Sequence, residues 1–173
     1  EARQTSFVAI ALGQVSVSHW NTLGRTMAKA GSRTVLLSWS GTMFEYLMPW
    51  LLLKTYRHTL WDSTYRAVVS RQIEYARQRG VPFGISESGY YAFDYQMNYQ
   101  YRAFGVPGLG FKRGLEQDLV LAPYATVMAL PFAPKEGLDA LKRMEQLGGR
   151  GRYGYYEAID FTPRRMPQGR NHM

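Results

Sequence analysis

Cysteine is absent from all 173 residues, which removes disulfides, thiolate metal sites and a cysteine nucleophile together. Long apolar runs are also lacking. The longest, over 43–53, contains Glu45 and Pro49 and falls short of the roughly 20 residues a bilayer-spanning helix needs, so no direct membrane insertion is expected. Histidine is scarce: His19, His58 and His172 stand apart with no helix-face spacing between them, and no metal or other cofactor is expected. Acidic residues are outnumbered 13 to 21, giving a net charge of +8. Such a balance raises nucleic acid as a partner, but the distribution argues against it. Arg66, Arg71, Arg77 and Arg79 share one helical stretch with Glu74, and Arg150, Arg152, Arg164, Arg165 and Arg170 crowd the tail, as charges on a solvated face do. Residues 149–154 read GRGRYG and match G-x-G-x-x-G formally, yet a helix precedes them where a dinucleotide fold needs a strand.

What is present is a chain 46% hydrophobic, with the length of one compact domain. It opens on Glu1 rather than Met, already in an apolar-periodic pattern, so residues 1–173 are expected to be a fragment of a single catalytic domain in a larger parent. Asp62 as N-cap, helical spacing of Tyr65, Val68, Val69, Ile73 and Ala76, and Gly80 as stop predict an amphipathic helix. Pro134 opens another, with Leu138, Leu141, Met144 and Leu147 on one face. A third spans 42–53, mostly buried, and shorter ones are expected at 5–12, 19–28 and 124–130. No strand is predicted. The fold class expected is all-α, part of a toroid, with long Gly- and aromatic-rich connections over 81–112 and 148–163; loops that long in a compact domain usually carry function.

Sorting carboxylates by context narrows the chemistry. Asp62, Glu74, Glu136, Asp139 and Glu145 sit at helix starts or on polar faces, where capping and solvation explain them. Glu45, Glu87, Asp94, Glu157 and Asp160 lie instead among aromatics and glycines, in FEYLMPW, GISESGYYAFDY and GYYEAIDF. Carboxylates in such surroundings are partnered or functional, because burying an unpaired charge is costly. The stretch 83–101 adds Tyr90, Tyr91, Tyr95, Tyr99 and Tyr101, rings suited to stacking on sugar faces or to packing on one another. With neither a cysteine nor a serine elbow, carboxylate acid/base or nucleophilic catalysis is the chemistry left.

The strings LLSWSGTMFEYLMPWLLLKTY, GVPFGISESGYYAFDYQMNYQYRAFGVPGLGFKRG, VLAPYATVMAL and GRYGYYEAIDFTP resemble the glucoamylase-like cyclisation domain of cyclic beta-1,2-glucan synthases, in order and over nearly the whole chain. The opening EAR resembles the family's Ser-Glu-Ala-Arg string. That resemblance implies an (α/α)6 barrel in which a linear β-1,2-glucan is cut and its ends joined by transglycosylation. It implies Glu1 as acid/base and Glu87 as nucleophile. A retaining mechanism sets two such carboxyls roughly 5 Å apart. Tyr90, Tyr91, Tyr99, Tyr101 and Arg102 are the candidate acceptor-subsite residues, with Trp39, Glu45, Asp94 and Glu157 as further wall or hydrogen-bonding groups. For Glu45 and Glu157 the alternative is structural, each anchoring a neighbouring loop. The implied partners are a β-glucan chain and the other domains of a synthase, and the implied location is the cytoplasmic side of a bacterial inner membrane. Three functions stay open: a retaining transglycosylase, an endo-glucanase of the same architecture, and a non-catalytic glucan-binding module.

Overall fold

A computed structural model describes residues 2–173. Among the described residues, six α-helices are interspersed with four separate two-stranded antiparallel ribbons, so the class is mixed rather than all-α. The longest helix, α4 (Leu60–Arg79), packs against α3 (Met43–Leu52); α5 (Pro123–Ala129) packs between α3 and α6 (Pro134–Gln146), while α1 (Ala2–Ala11) and α2 (His19–Thr22) pack on each other at the periphery. The ribbons are β1 (Met27–Ala30) with β2 (Arg33–Leu36), β3 (Ser88–Phe93) with β4 (Tyr99–Arg102), β5 (Val120–Leu121) with β8 (Ile159–Asp160), and β6 (Arg150–Gly151) with β7 (Gly154–Tyr155).

The capping signals act nearly where the sequence puts them. Thr59, not Asp62, caps α4: its hydroxyl accepts from Asp62 N, and the Asp62 carboxylate accepts from His58 N, so Asp62 sits three residues inside the cap. Gly80 closes α4 with φ 70°, the left-handed conformation that favours glycine. At α3, Thr42 accepts from Glu45 N. Tyr65, Val68, Val69 and Ala76 are buried along α4 as their spacing predicts, with Val35, Met43, Leu47, Ile85, Phe104, Leu121 and Met144 completing the core. Helix α6 buries Met144 and packs Leu141 against the core as its spacing predicts, with Gly137 and Ala140 also inward. Gly137, Ala140 and Met144 are buried while Leu138 is exposed, and a Cβ on Gly137 would come within 2.6 Å of Leu130.

Two expectations are corrected. The helix expected over 19–28 ends at Thr22, and the chain then pairs 27–30 with 33–36 through a turn whose Gly31 has φ 63°. Val35 and Leu36 enter the core from that ribbon, and non-local burial outweighs the helix propensity of the Met-Ala-Lys-Ala run. The 81–112 connection is likewise a hairpin for part of its length. The aromatic residues of SGYYAF favour a pleated, half-buried surface, and an irregularity between Tyr90 and Phe93 shifts the register. G-x-G-x-x-G at 149–154 is the β6–β7 turn.

Candidate functional site: a carboxylate on a pinned segment

Of residues 81–89, Glu87 alone is not buried. The segment runs from the C-terminal end of α4 through the molecule's middle to the start of β3, and its backbone is held from four directions. The side chain of Gln72, fully buried in α4, pairs with Ile85 on both sides: Nε2 donates to the carbonyl at 2.7 Å, and Oε1 accepts from the amide at 3.0 Å. The first turn of α3 donates Met43 N to Ile85 O at 3.3 Å and Phe44 N to Ser86 Oγ at 3.1 Å. Tyr124 of α5 donates to the Glu87 carbonyl at 2.8 Å. Glu157, between β7 and β8, accepts from Gly89 N at 2.8 Å. A Cβ on Gly89 would lie 3.0 Å from Glu157 Oε2, so only glycine lets that carboxylate approach without displacement.

Glu87, Glu157, Tyr101 and Tyr124 gather here. Tyr101 stands opposite Gly89 in the β3–β4 register. Partial burial raises its hydroxyl pKa, and the negative charges of Glu87 and Glu157 raise it further. Burial pushes Tyr124 well above the ordinary phenol range, with Tyr101, Glu87 and Glu157 adding to the shift, so its hydroxyl keeps its proton.

The other described candidate residues divide into four groups. Tyr99 and Tyr101 are exposed on β4, and Tyr99 packs on Phe93 with ring centroids 4.9 Å apart. Tyr90, Tyr91 and Arg102 serve the base of the hairpin. Tyr90 lies edge-on to Phe104 at 5.5 Å beneath the Arg165 guanidinium, and Tyr91 N donates to Asp160 Oδ2 at 3.1 Å. Arg102 pairs with Asp118 at 3.1 Å. Asp94 closes the hairpin tip, accepting from Gln96 N and Asn98 N at 2.9 Å each. Trp39 and Glu45 lie elsewhere, in the wall of a cavity of about 430 Å³ shared with Arg3, Tyr46, Trp61 and Phe111. Glu45 accepts there from Ser40 N at 2.9 Å and Gly41 N at 3.2 Å, while Trp39 is 66% exposed. Glu1 lies outside the described residues.

Sequence reasoning missed Gln72, Ser86, Tyr124 and Asp118. Asp118, with its side chain fully buried, gathers Arg102, Arg164 at 2.9 Å and Arg165 at 3.0 Å; Arg165 also reaches Asp160 at 2.7 Å. Gln72 carried a signal, a polar residue within the buried stripe of an amphipathic helix. Among the described residues, no three His, Asp or Glu side chains gather as a metal ion would require, and no helix is long and apolar enough to cross a membrane.

A partly exposed carboxylate on a rigid segment, with Glu157, Tyr101 and Tyr124 near it, is an arrangement suited to carboxylate chemistry on sugars. Residues 1–170 match the Glycoamylase family, described as "Putative glucoamylase", and the chain belongs to that family. It is 48% identical over 169 residues to the cyclic beta-(1,2)-glucan synthase NdvB of Rhizobium meliloti (strain 1021), a match covering 98% of this chain and 6% of the synthase. Its fold resembles that of the endo-beta-1,2-glucanase from Chitinophaga pinensis, solved with sophorotriose and glucose. The TM-score is 0.56 at 17% identity, over 80% of this chain and 35% of the glucanase.

Proposed function

We propose that this chain contributes the nucleophile-bearing part of a domain that cuts linear β-1,2-glucan and rejoins its ends by retaining transglycosylation. One observation carries the reading: along the buried segment 81–89, Glu87 alone emerges, on a stretch pinned by Gln72, the first turn of α3, Tyr124 and Glu157. Covalent catalysis asks for that rigidity, because a nucleophile must be held in line with the anomeric carbon. In the proposed cycle Glu87 attacks that carbon while a second carboxylic acid, Glu1, protonates the departing glycosidic oxygen. Glu1 then removes the proton from the incoming sugar hydroxyl as the glycosyl–Glu87 ester breaks. Transfer prevails over water when an acceptor sugar is held in place.

The exposed rings of Tyr99 and Tyr101 suit that acceptor wall, and Tyr90, Tyr91, Arg102 and Asp94 shape the hairpin that presents them. Glu157 lies at the floor. Trp39 and Glu45 offer a further sugar-holding wall beside the first turn of α3. Identity to a cyclic glucan synthase over nearly the whole chain supports the substrate class. The chain spans 6% of that synthase and 35% of the glucanase, and we take residues 1–173 as part of one (α/α)6 catalytic domain. That domain belongs, in this reading, to a larger synthase with its soluble face on the cytoplasmic side of a bacterial inner membrane.

Hydrolysis is the second reading, favoured by the fold likeness to an endo-glucanase. The test is to incubate the full-length protein with linear β-1,2-glucan, wild type beside Glu87→Gln, and weigh the products. Rings or disproportionated chains that disappear in a folded Glu87→Gln variant support transglycosylation, and short linear glucans alone support hydrolysis. A folded wild type that leaves the glucan intact removes both and leaves a binding module.

A further inference from the structure

Tyr124 reaches Glu87 through a chain of polar groups that the catalytic reading does not require. Its Oη is 2.8 Å from both Ser86 Oγ and the Glu87 carbonyl, and Ser86 Oγ is 3.1 Å from Phe44 N. The carbonyl can only accept and the amide can only donate. Each hydroxyl proton is therefore used once when Phe44 N–H donates to Ser86 Oγ, Ser86 donates to Tyr124 Oη, and Tyr124 donates to the Glu87 carbonyl. The relay runs from the capped first turn of α3 to the peptide bearing the carboxylate and joins α3 to α5 across it. Ser86 is fully buried, and burial raises the Tyr124 hydroxyl above the ordinary phenol range, so Tyr124 keeps its proton. The Tyr124 ring also meets Phe44 edge-on at 6.4 Å, which holds it in place without the hydroxyl.

We propose that Tyr124 is a positioning residue for Glu87, its hydroxyl fixing through the Ser86 relay the peptide from which the carboxylate is presented. The inference rests on Glu87 being the nucleophile. It separates two tasks along one segment: Gln72 holds the buried strand in register, and Tyr124 sets the orientation of the one residue that emerges from it.

Tyr124→Phe in the full-length protein keeps the ring and removes the hydroxyl. Its kcat on linear β-1,2-glucan should fall about 10–100-fold, the scale of a misaligned reacting group. KM should hold within about twofold, since substrate binding is untouched. Melting temperature should hold, and amide hydrogen exchange should quicken at 86–89 alone. Ser86→Ala, which cuts the link to Phe44 and spares the Tyr124–Glu87 bond, should move kcat in the same direction by less. Wild-type kcat in Tyr124→Phe overturns the proposal. So does a loss of kcat accompanied by a lower melting temperature and faster exchange throughout α3 and α5, which would make Tyr124 an ordinary packing residue. If the wild type does not turn glucan over, the catalytic reading fails on its own account. The relay then stands or falls on whether exchange at 86–89 responds to Tyr124→Phe.

Discussion

Two stretches of the same connection are built on opposite principles. Backbone groups of residues 81–89 are answered from outside the segment, by Gln72 in α4, Met43 in α3, Tyr124 in α5 and Glu157 near β8, while Phe44 holds the Ser86 side chain. Residues 93–99, at the tip of the β3–β4 hairpin, are answered by themselves. Asp94 accepts from the backbone amides of Gln96 and Asn98 and from the Asn98 side chain, Phe93 packs on Tyr99, and Tyr95 is 91% exposed. The first stretch can hold one atom to a fraction of an ångström because moving it disturbs four elements. The second can yield as a unit, because little outside it depends on its shape. In the proposed function, which asks for an aimed carboxylate beside a long, flexible sugar chain, both have a use.

Asp118 ties the foot of the hairpin to the C-terminal tail, and its removal should have the largest effect on stability. It ties Arg102, at the foot of the hairpin, to Arg164 and Arg165 in the C-terminal tail, with Asp160 sharing Arg165. Asp118→Ala leaves Arg165, whose side chain is only 12% exposed, short of one carboxylate. Breaking such a buried pair costs about 3–5 kcal/mol. Denaturant unfolding should register a loss of that size. A loss under about 1 kcal/mol, the scale of a surface pair, would mean that the arginines relax into solvent and that hairpin and tail are not tied through this carboxylate.

Gln72→Leu attacks the pinned segment alone and comes next. It strands the Ile85 N–H, while the Ile85 carbonyl keeps its contact with Met43 N. One orphaned buried group costs about 1–3 kcal/mol. The signature to look for is regional: exchange should quicken over 84–89 while the tip at 94–98 keeps its wild-type rates. If the tip responds equally, the two stretches are one cooperative unit and the contrast between them fails.

The difference also explains what was legible in the sequence. Helices α3, α4, α5 and α6 were readable because their evidence is local: Thr42 as cap, Gly80 as stop, Pro134 as opener and the spacing of Tyr65, Val68 and Val69. Glu87 stood out because a carboxylate among glycines and tyrosines is conspicuous. Of its anchors, Glu157 was already singled out by its aromatic surroundings, while Gln72, Ser86 and Tyr124 were not, since they acquire their roles only when α3, α4 and α5 converge. Asp118 in GLEQDLV looks like an ordinary polar residue until three arginines reach it. The helix expected over 19–28 overruns into β1 at 27–28 because pairing with 33–36, not local propensity, decides the state of those residues.

The smallest effect, and the sharpest test of the tip's independence, is the pH response of Asp94. The backbone amide and side chain of Asn98, then the amide of Gln96, hold its carboxyl below the ordinary carboxylate range. A carboxyl whose folded value lies below its unfolded value contributes stability that is fully present above the unfolded value and is lost as pH falls through the folded one. Protection of the Gln96 and Asn98 amides against exchange should therefore be constant at neutral pH, after correction for intrinsic rates, and fade on acidification into and below the carboxylate range. Asp94→Ala should abolish that pH dependence and loosen the tip at neutral pH. Because the Asp94 interactions close within 94–98, neither change should reach the exchange rates of 84–89 or the orientation of Glu87. Acid-induced loosening that spreads into the pinned segment before the fold unravels would show that the tip supports the carboxylate instead of merely projecting beside it.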